Sequence, residues 1–146
     1  MSKKVMVFGT FDIFHKGHEF YFTKAKEFGD ELVVVIARDE TVLKIKKSLP
    51  LNLETQRLQN VSKSPLVSKV ILGNLGDKFK VIEDERPDVL VFGYDQQSFN
   101  IGIKDELEKR GLLDIEIIQL EESFEPEIYK SSKLSKLDKS SEGKQN

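Results

Sequence analysis

The stretch Val5-Met6-Val7-Phe8-Gly9-Thr10-Phe11-Asp12-Ile13-Phe14-His15-Lys16-Gly17-His18 decides the fold of this chain. It opens with a short apolar run ended by glycine, the pattern of a strand buried on both faces. From Gly17 to about Phe28 the apolar residues Tyr21, Ala25 and Phe28 recur at helical spacing, and Gly29 is placed to stop the helix. A buried strand that passes through a glycine-bounded turn into a helix is the first half of a β-α-β unit. Leu32-Val33-Val34-Val35-Ile36-Ala37, the clearest strand in the sequence, supplies the other half.

Working outward, the alternation continues. The pattern predicts a helix from Leu53 to about Ser62, a strand over Lys69–Leu72 and a helix from Asp77 to Glu85, just before Pro87. Val89–Phe92 is a strand ended by Gly93. Ile103 and Leu107 share one face of a helix closed by Gly111, Ile115–Leu120 is the last strand, and Lys130–Leu137 a short final helix. The expected architecture is α/β, a Rossmann-like three-layer α/β/α with a five-stranded parallel sheet. Residues 1–137 read as one domain. Residues 138–146 contain no apolar side chain and read as a disordered polar tail. Ligands of such sheets bind outside the carboxyl ends of the strands, at a topological switch point, so the residues directly after the strands are the informative ones.

Composition narrows the classes. With 146 residues, a formal charge of −2 and 33% charged residues, the chain lacks the basic footprint of a nucleic-acid or anionic-membrane binder. The absence of cysteine excludes disulfides, thiolate metal sites and cysteine nucleophiles. No apolar run approaches the ~20 residues of a membrane span, and the chain enters strand material directly after Met1-Ser2-Lys3-Lys4. The expectation is a cytoplasmic enzyme or binding domain.

The turn from Gly9 to His18 carries the chemistry. Gly9 lets backbone approach a ligand, and Gly17 permits a tight turn where a side chain would obstruct phosphate. The helix beyond offers unpaired N–H groups and a positive dipole end to anionic oxygens. The two histidines of the protein both fall here, three residues apart. Three readings are open: spare histidines, a metal site of His15, His18 and Asp12, or imidazole donors to a bound phosphate.

Gly9-Thr10-Phe11-Asp12 followed by His15-Lys16-Gly17-His18 resembles the motif of the cytidylyltransferase-like nucleotidyltransferases. That family includes glycerol-3-phosphate and ethanolamine-phosphate cytidylyltransferases, archaeal-type FAD synthases and, more distantly, pantetheine-phosphate and nicotinamide-mononucleotide adenylyltransferases. The resemblance runs over roughly residues 4–137. It implies that Gly9, Thr10, Phe11, Asp12 and Gly17 cradle the nucleotide, and that His15 and His18 stabilise the α-phosphate during transfer. It places Asp12 beside the phosphates and their Mg2+, a metal held mainly by substrate oxygens.

Further motifs resemble the family. Ala37-Arg38-Asp39-Glu40-Thr41-Val42 precedes Lys44 and Lys46, which either reach a substrate phosphate or form a solvated helix face. Glu54-Thr55-Gln56-Arg57 resembles a Glu-x-x-Arg helix start, where the family arginine serves the acceptor or the active-site scaffold; Arg57 is assigned here to acceptor binding, with a solvated surface arginine as the alternative. Gly93-Tyr94-Asp95-Gln96 matches a nucleotide contact; a carboxylate accepts from ribose or base but repels phosphate, so Asp95 suits the nucleoside end. In Tyr129-Lys130-Ser131-Ser132-Lys133-Leu134, the residues Lys130, Ser131 and Ser132 are placed to hold the β- and γ-phosphates. The family carries an arginine upstream of this segment; Glu122–Glu127 has none, and Lys130 is the available replacement.

The implied reaction transfers a nucleoside monophosphate from ATP or CTP to a phosphorylated small molecule and releases pyrophosphate. The resemblance to the FAD synthase branch favours ATP with FMN. The alternatives are CTP with glycerol-3-phosphate or a similar alcohol phosphate, and a non-catalytic nucleotide-binding module. The acceptor phosphate brings its own nucleophilic oxygen, so catalysis would rest on positioning and charge stabilisation. A homodimer is implied by resemblance alone.

Overall fold

The computed structural model describes residues 3–93 and 102–120. In chain order the elements are β1 (Lys4–Gly9), α1 (Lys16–Lys26), β2 (Glu31–Ile36), α2 (Asp39–Lys46), α3 (Glu54–Ser62), β3 (Lys69–Leu72), α4 (Lys80–Glu85), β4 (Val89–Phe92), α5 (Ile103–Lys109) and β5 (Glu116–Gln119). The five strands pair in the order β3-β2-β1-β4-β5, all parallel.

Side chains alternate across a strand, so each of the central strands feeds two cores. Val5, Val7, Leu32, Val34, Ile36, Val89 and Val91 face one side, where α1 lays Tyr21, Phe22 and Ala25 against them and α3 adds Val61. Met6, Phe8, Val33, Val35, Leu90 and Phe92 face the other, covered by Val81 and Ile82 of α4 and by Ile103 and Leu107 of α5. Each such wholly buried side chain contributes about 1.5–3 kcal/mol, which is why runs without polar interruption are needed in β1, β2 and β4.

The chain leaves β1 for β2 and β3 on one side and later returns to lay β4 on the other. This makes the carboxyl ends of β1 and β4 the switch point. The β1–β2 ladder runs the full six pairs from Lys4↔Glu31 to Gly9↔Ile36. Against β4 only Val5↔Val89 and Met6↔Leu90 pair, at the amino end. One residue past that ladder, the carbonyl of Val91 accepts from the Tyr21 hydroxyl at 2.7 Å, pinning α1 to β4 below the crevice.

Two elements differ from the sequence expectation. Asp39–Lys46 is a separate helix, and it buries only Val42, so it shows no wide apolar stripe to read. The helix expected from Asp77 starts at Lys80, because the Asp77 carboxylate accepts from the amide of Phe79 at 3.1 Å and holds a turn there. The helix expected over Lys130–Leu137 and the tail lie outside the described residues. No described helix is long and apolar enough to cross a membrane.

Candidate active site

The turn after β1 closes on a capping box made of two histidines. His15 is the N-cap of α1, with extended backbone (φ −145°, ψ −177°), and its Nδ1 accepts from the amide of Gly17 at 3.0 Å. His18, one turn into the helix, accepts from the amide of His15 on its own Nδ1 at 3.3 Å. The rings stack with centroids 4.0 Å apart. A backbone amide can only donate, so each Nδ1 carries a lone pair and each neutral ring carries its proton on Nε2. The cap therefore sets the tautomer: two Nε2–H donors at the amino end of α1.

The surroundings hold both rings neutral. Burial and, second, the adjacent His15 push His18 down to about 3 from an ordinary 6.5. Burial also lowers His15. The His18 ring lies between Phe11, edge-on at 5.0 Å, and Phe14, stacked at 5.6 Å. These groups suit hydrogen-bond donation to an anionic oxygen more than permanent positive charge. The same geometry disfavours a metal site, since both Nδ1 atoms are occupied. Among the described residues there is no group of three or more His, Cys, Asp or Glu able to hold a metal ion.

Gly9 has a structural task. A Cβ there would lie 2.5 Å from the tip of the Phe11 ring, so the glycine makes room for an aromatic side chain. Phe11 takes a left-handed backbone (φ 52°), 4% exposed, to place that ring under His18. Its side chain is core; only its backbone faces the turn.

The Asp12 carboxylate is held by backbone amides. Its two carboxylate oxygens accept from the backbone amides of Leu51 and Asn52, both at 2.8 Å, and the Asn52 side-chain Nδ2 donates back to the Asp12 carbonyl. Asp12 thus staples the loop before α3 to the histidine turn.

Arg57, expected at the acceptor, is instead fully buried, and Nε, Nη1 and Nη2 each donate to the scaffold. Its Nη1 donates to the Thr10 carbonyl at 2.9 Å, Nε to the Asn52 carbonyl at 2.9 Å, and Nη2 to Asp39 Oδ1 at 2.7 Å. Thr10 and Asn52 flank the Asp12 staple, so one guanidinium fixes both sides of it. Asp39 and Glu54 cap each other's helices: the Asp39 amide donates to Glu54 at 2.8 Å, and the Glu54 amide donates to Asp39 at 3.2 Å. Arg38 completes the network, donating from Nε to Glu54 and from Nη1 to the Gly73 carbonyl after β3. The carboxyl ends of β1, β2 and β3 are thereby tied together. Asp39 and Glu54 escaped sequence reading because their partners lie on the other helix; the available signal was the acidic residue in the first turn of each.

Lys44 and Lys46 stand exposed on α2 and take part in no hydrogen bond or ion pair among the described residues. Gly93 is buried at the end of β4, where its carbonyl accepts from the Gln119 side chain. Continuing the β1–β4 register brings it level with Gly9. Asp95, Lys130, Ser131 and Ser132 lie outside the described residues.

Known proteins resemble this chain over most of its length. An FAD synthase of Aciduliprofundum boonei is 37% identical over 131 residues, which cover 90% of this chain and 87% of that one. The FAD synthase of Methanosarcina acetivorans is 46% identical over 110 residues, covering 75% and 71%. Among solved structures, the lipopolysaccharide core biosynthesis protein of Thermoplasma volcanium superposes with a TM-score of 0.79 at 34% identity, over 86% of this chain and all of that one. Pantoate-beta-alanine ligase from Francisella tularensis shares the fold, with a TM-score of 0.61 at 18% identity, over 82% of this chain and 59% of that one. The cytidylyltransferase-like pattern matches residues 6–137, and with the paired histidines at the end of β1 it shows that the chain belongs to the cytidylyltransferase-like family.

Proposed function

We propose that this protein is an FAD synthase, which transfers the adenylyl group of ATP to the phosphate of FMN and releases pyrophosphate. The observation that carries the reading is the histidine capping box: with both Nδ1 atoms accepting from backbone amides, each ring keeps Nε2–H as its donor, at the amino end of α1 directly after β1. The choice of ATP and FMN rests on the relatives that bear the FAD synthase name over most of both chains.

In the step, an oxygen of the FMN phosphate attacks the α-phosphorus in line. A new P–O bond forms as the bond from the α-phosphorus to the α–β bridging oxygen breaks, and pyrophosphate leaves with the electron pair. No side-chain nucleophile is required. His15 and His18 donate to non-bridging α-phosphate oxygens as charge builds there, and the amino end of α1 adds its dipole. Donors fixed by a capping box need no reorganisation during the reaction, and one such donor is worth roughly 10²–10³ in kcat.

A divalent cation such as Mg2+ would neutralise triphosphate charge. The Asp12 oxygens already accept two amides, so such a cation would be held chiefly by substrate phosphates. Lys44, Lys46, Asp95, Lys130, Ser131 and Ser132 remain the proposed contacts to the nucleotide, and Arg57 is reassigned as a positioning residue. Cytoplasmic placement and a homodimer belong to the same proposal; the solution mass tests the latter.

The reaction class is tested by pyrophosphate release with ATP or CTP crossed with FMN, glycerol-3-phosphate and ethanolamine phosphate. Turnover confined to ATP with FMN is expected. Turnover with CTP and an alcohol phosphate would overturn the substrate choice, and nucleotide binding without any turnover would overturn the enzyme.

A further inference from the structure

Beside the histidine turn lies a cleft of about 420 Å3, separate from the crevice between β1 and β4. It opens between the turn, the start of α1 and the end of α3, on the flank of β1 that carries β2 and β3. Its volume falls within the roughly 300–1,000 Å3 of small-molecule sites. Its walls combine apolar and polar groups, with the carboxylates of Asp12 and Glu19 where it meets the turn and the start of α1. Ile13, Phe14 and Pro65 are apolar, and Ile13 is 50% exposed inside the reaction turn. Asn60, Lys63 and Ser64 are polar and line the same space. The Asn60 side-chain oxygen accepts from Gln56 at 2.9 Å, whereas its Nδ2 is engaged by no hydrogen bond among the described residues.

Phe14 joins this cleft to the reacting groups, because its ring lines the cleft on one side and stacks on His18 at 5.6 Å. In-line transfer requires the acceptor to approach the α-phosphorus opposite the departing pyrophosphate. A nucleoside lying toward β4 and Gly93 leaves the α1–α3 flank for the acceptor. An alcohol phosphate would leave the apolar walls uncovered. A flat fused heteroaromatic ring, apolar at one end and rich in carbonyl and imide groups at the other, matches both kinds of wall.

We propose that this cleft seats the isoalloxazine ring of the acceptor, with Ile13, Phe14 and Pro65 against its faces and Asn60, Lys63 and Ser64 toward its polar edge. The inference rests on the FMN reading above. Asn60 and Lys63 are thereby specificity residues that act on the ring and leave the nucleotide alone.

The test uses the full chain and two direct binding measurements: flavin fluorescence anisotropy for FMN and riboflavin, and calorimetry for ATP. Asn60→Ala removes one hydrogen-bonding group and is expected to weaken FMN and riboflavin about tenfold. Ile13→Glu, which sets a charge against the ring face, is expected to weaken both more. ATP affinity and the thermal midpoint stay unchanged in Asn60→Ala. Because the chain contains no cysteine, Lys63→Cys carrying a bulky maleimide gives an independent block, expected to abolish flavin binding while ATP still binds. Wild-type FMN affinity in all three, with FAD still formed, would overturn the cleft assignment alone. Failure of the unmodified protein to bind any flavin would overturn it together with the FMN reading.

Discussion

Arg57 offers the sharpest energetic prediction, since the structure replaces an expected substrate contact with a buried structural charge. The guanidinium is 0% exposed and donates to Asp39, to the Thr10 carbonyl and to the Asn52 carbonyl. Arg57→Met deletes the charge but leaves two loop carbonyls without their donor, at about 1–3 kcal/mol each, and the total expected loss is about 3–5 kcal/mol. Asp39→Asn keeps the cation buried and removes its anion. Breaking a buried pair in this way costs about 3–5 kcal/mol, and the partial exposure of Asp39 puts the expectation at the lower end. Once Arg57 is gone, Asp39 has less to stabilise, so the double variant should lose about 1–2 kcal/mol less than the sum of the singles. Urea unfolding of the three variants and the wild type measures all of this. Kinetics separate positioning from acceptor contact: a conservative Arg57→Lys, keeping the charge without the fork, should lower kcat with KM for FMN little changed. Unfolding within about 0.5 kcal/mol of wild type in Arg57→Met, with a raised KM for FMN as the sole defect, would refute the reasoning and restore Arg57 to the acceptor.

Three further outcomes follow from the same geometry. His15 and His18 both have folded-state values below the ordinary 6.5, so protonation favours the unfolded chain. The stability held by keeping them neutral is complete above about pH 6.5 and is lost as pH falls below it, for His18 down to about 3, with a slope of up to about 1.4 kcal/mol per pH unit per proton. Urea midpoints from pH 7.5 to 4 should show a shallower dependence in His18→Gln than in the wild type, a difference that removes the acid losses at Asp77 and Glu85 common to both. Gly9→Ala forces a methyl into the Phe11 ring and should cost about 1–3 kcal/mol by thermal unfolding, with part of the loss recovered on adding Phe11→Leu. Lys44→Ala and Lys46→Ala should leave stability within about 0.5 kcal/mol, since both side chains are exposed. If either reaches the triphosphate, KM for ATP rises and its salt dependence weakens in that variant.

Much of the fold was legible because β1, β2 and β4 must be apolar on both faces, and such runs stand out beside glycine-ended turns. Helix α2 was not, because a helix that buries one valine leaves almost no periodic signal. At the site, the histidine pair was legible from spacing and from its place after a strand. Its tautomer was not: that depends on which ring nitrogen meets a backbone amide. Gly9 and Arg57 show the same limit from opposite sides. A glycine in a phosphate-type turn invites a ligand explanation, yet the neighbour that needs the space is the Phe11 ring. An arginine on an amphipathic helix beside glutamate looks solvated or substrate-facing, yet its partners are Thr10 after β1, Asp39 at the start of α2 and Asn52 in the loop before its own helix. Side chains whose partners are set by tertiary contact carry no local pattern, whereas buried strands and caps do.

The most direct measurement is the formation of FAD itself: ATP, FMN and Mg2+ incubated with the purified chain, with FAD and pyrophosphate quantified after separation. The account predicts equal amounts of the two products, and a fall of roughly 10²–10³ in rate in His18→Ala while that variant still binds ATP. Bound ATP with no FAD from the wild-type chain, or FAD formed at an undiminished rate by His18→Ala, would contradict it.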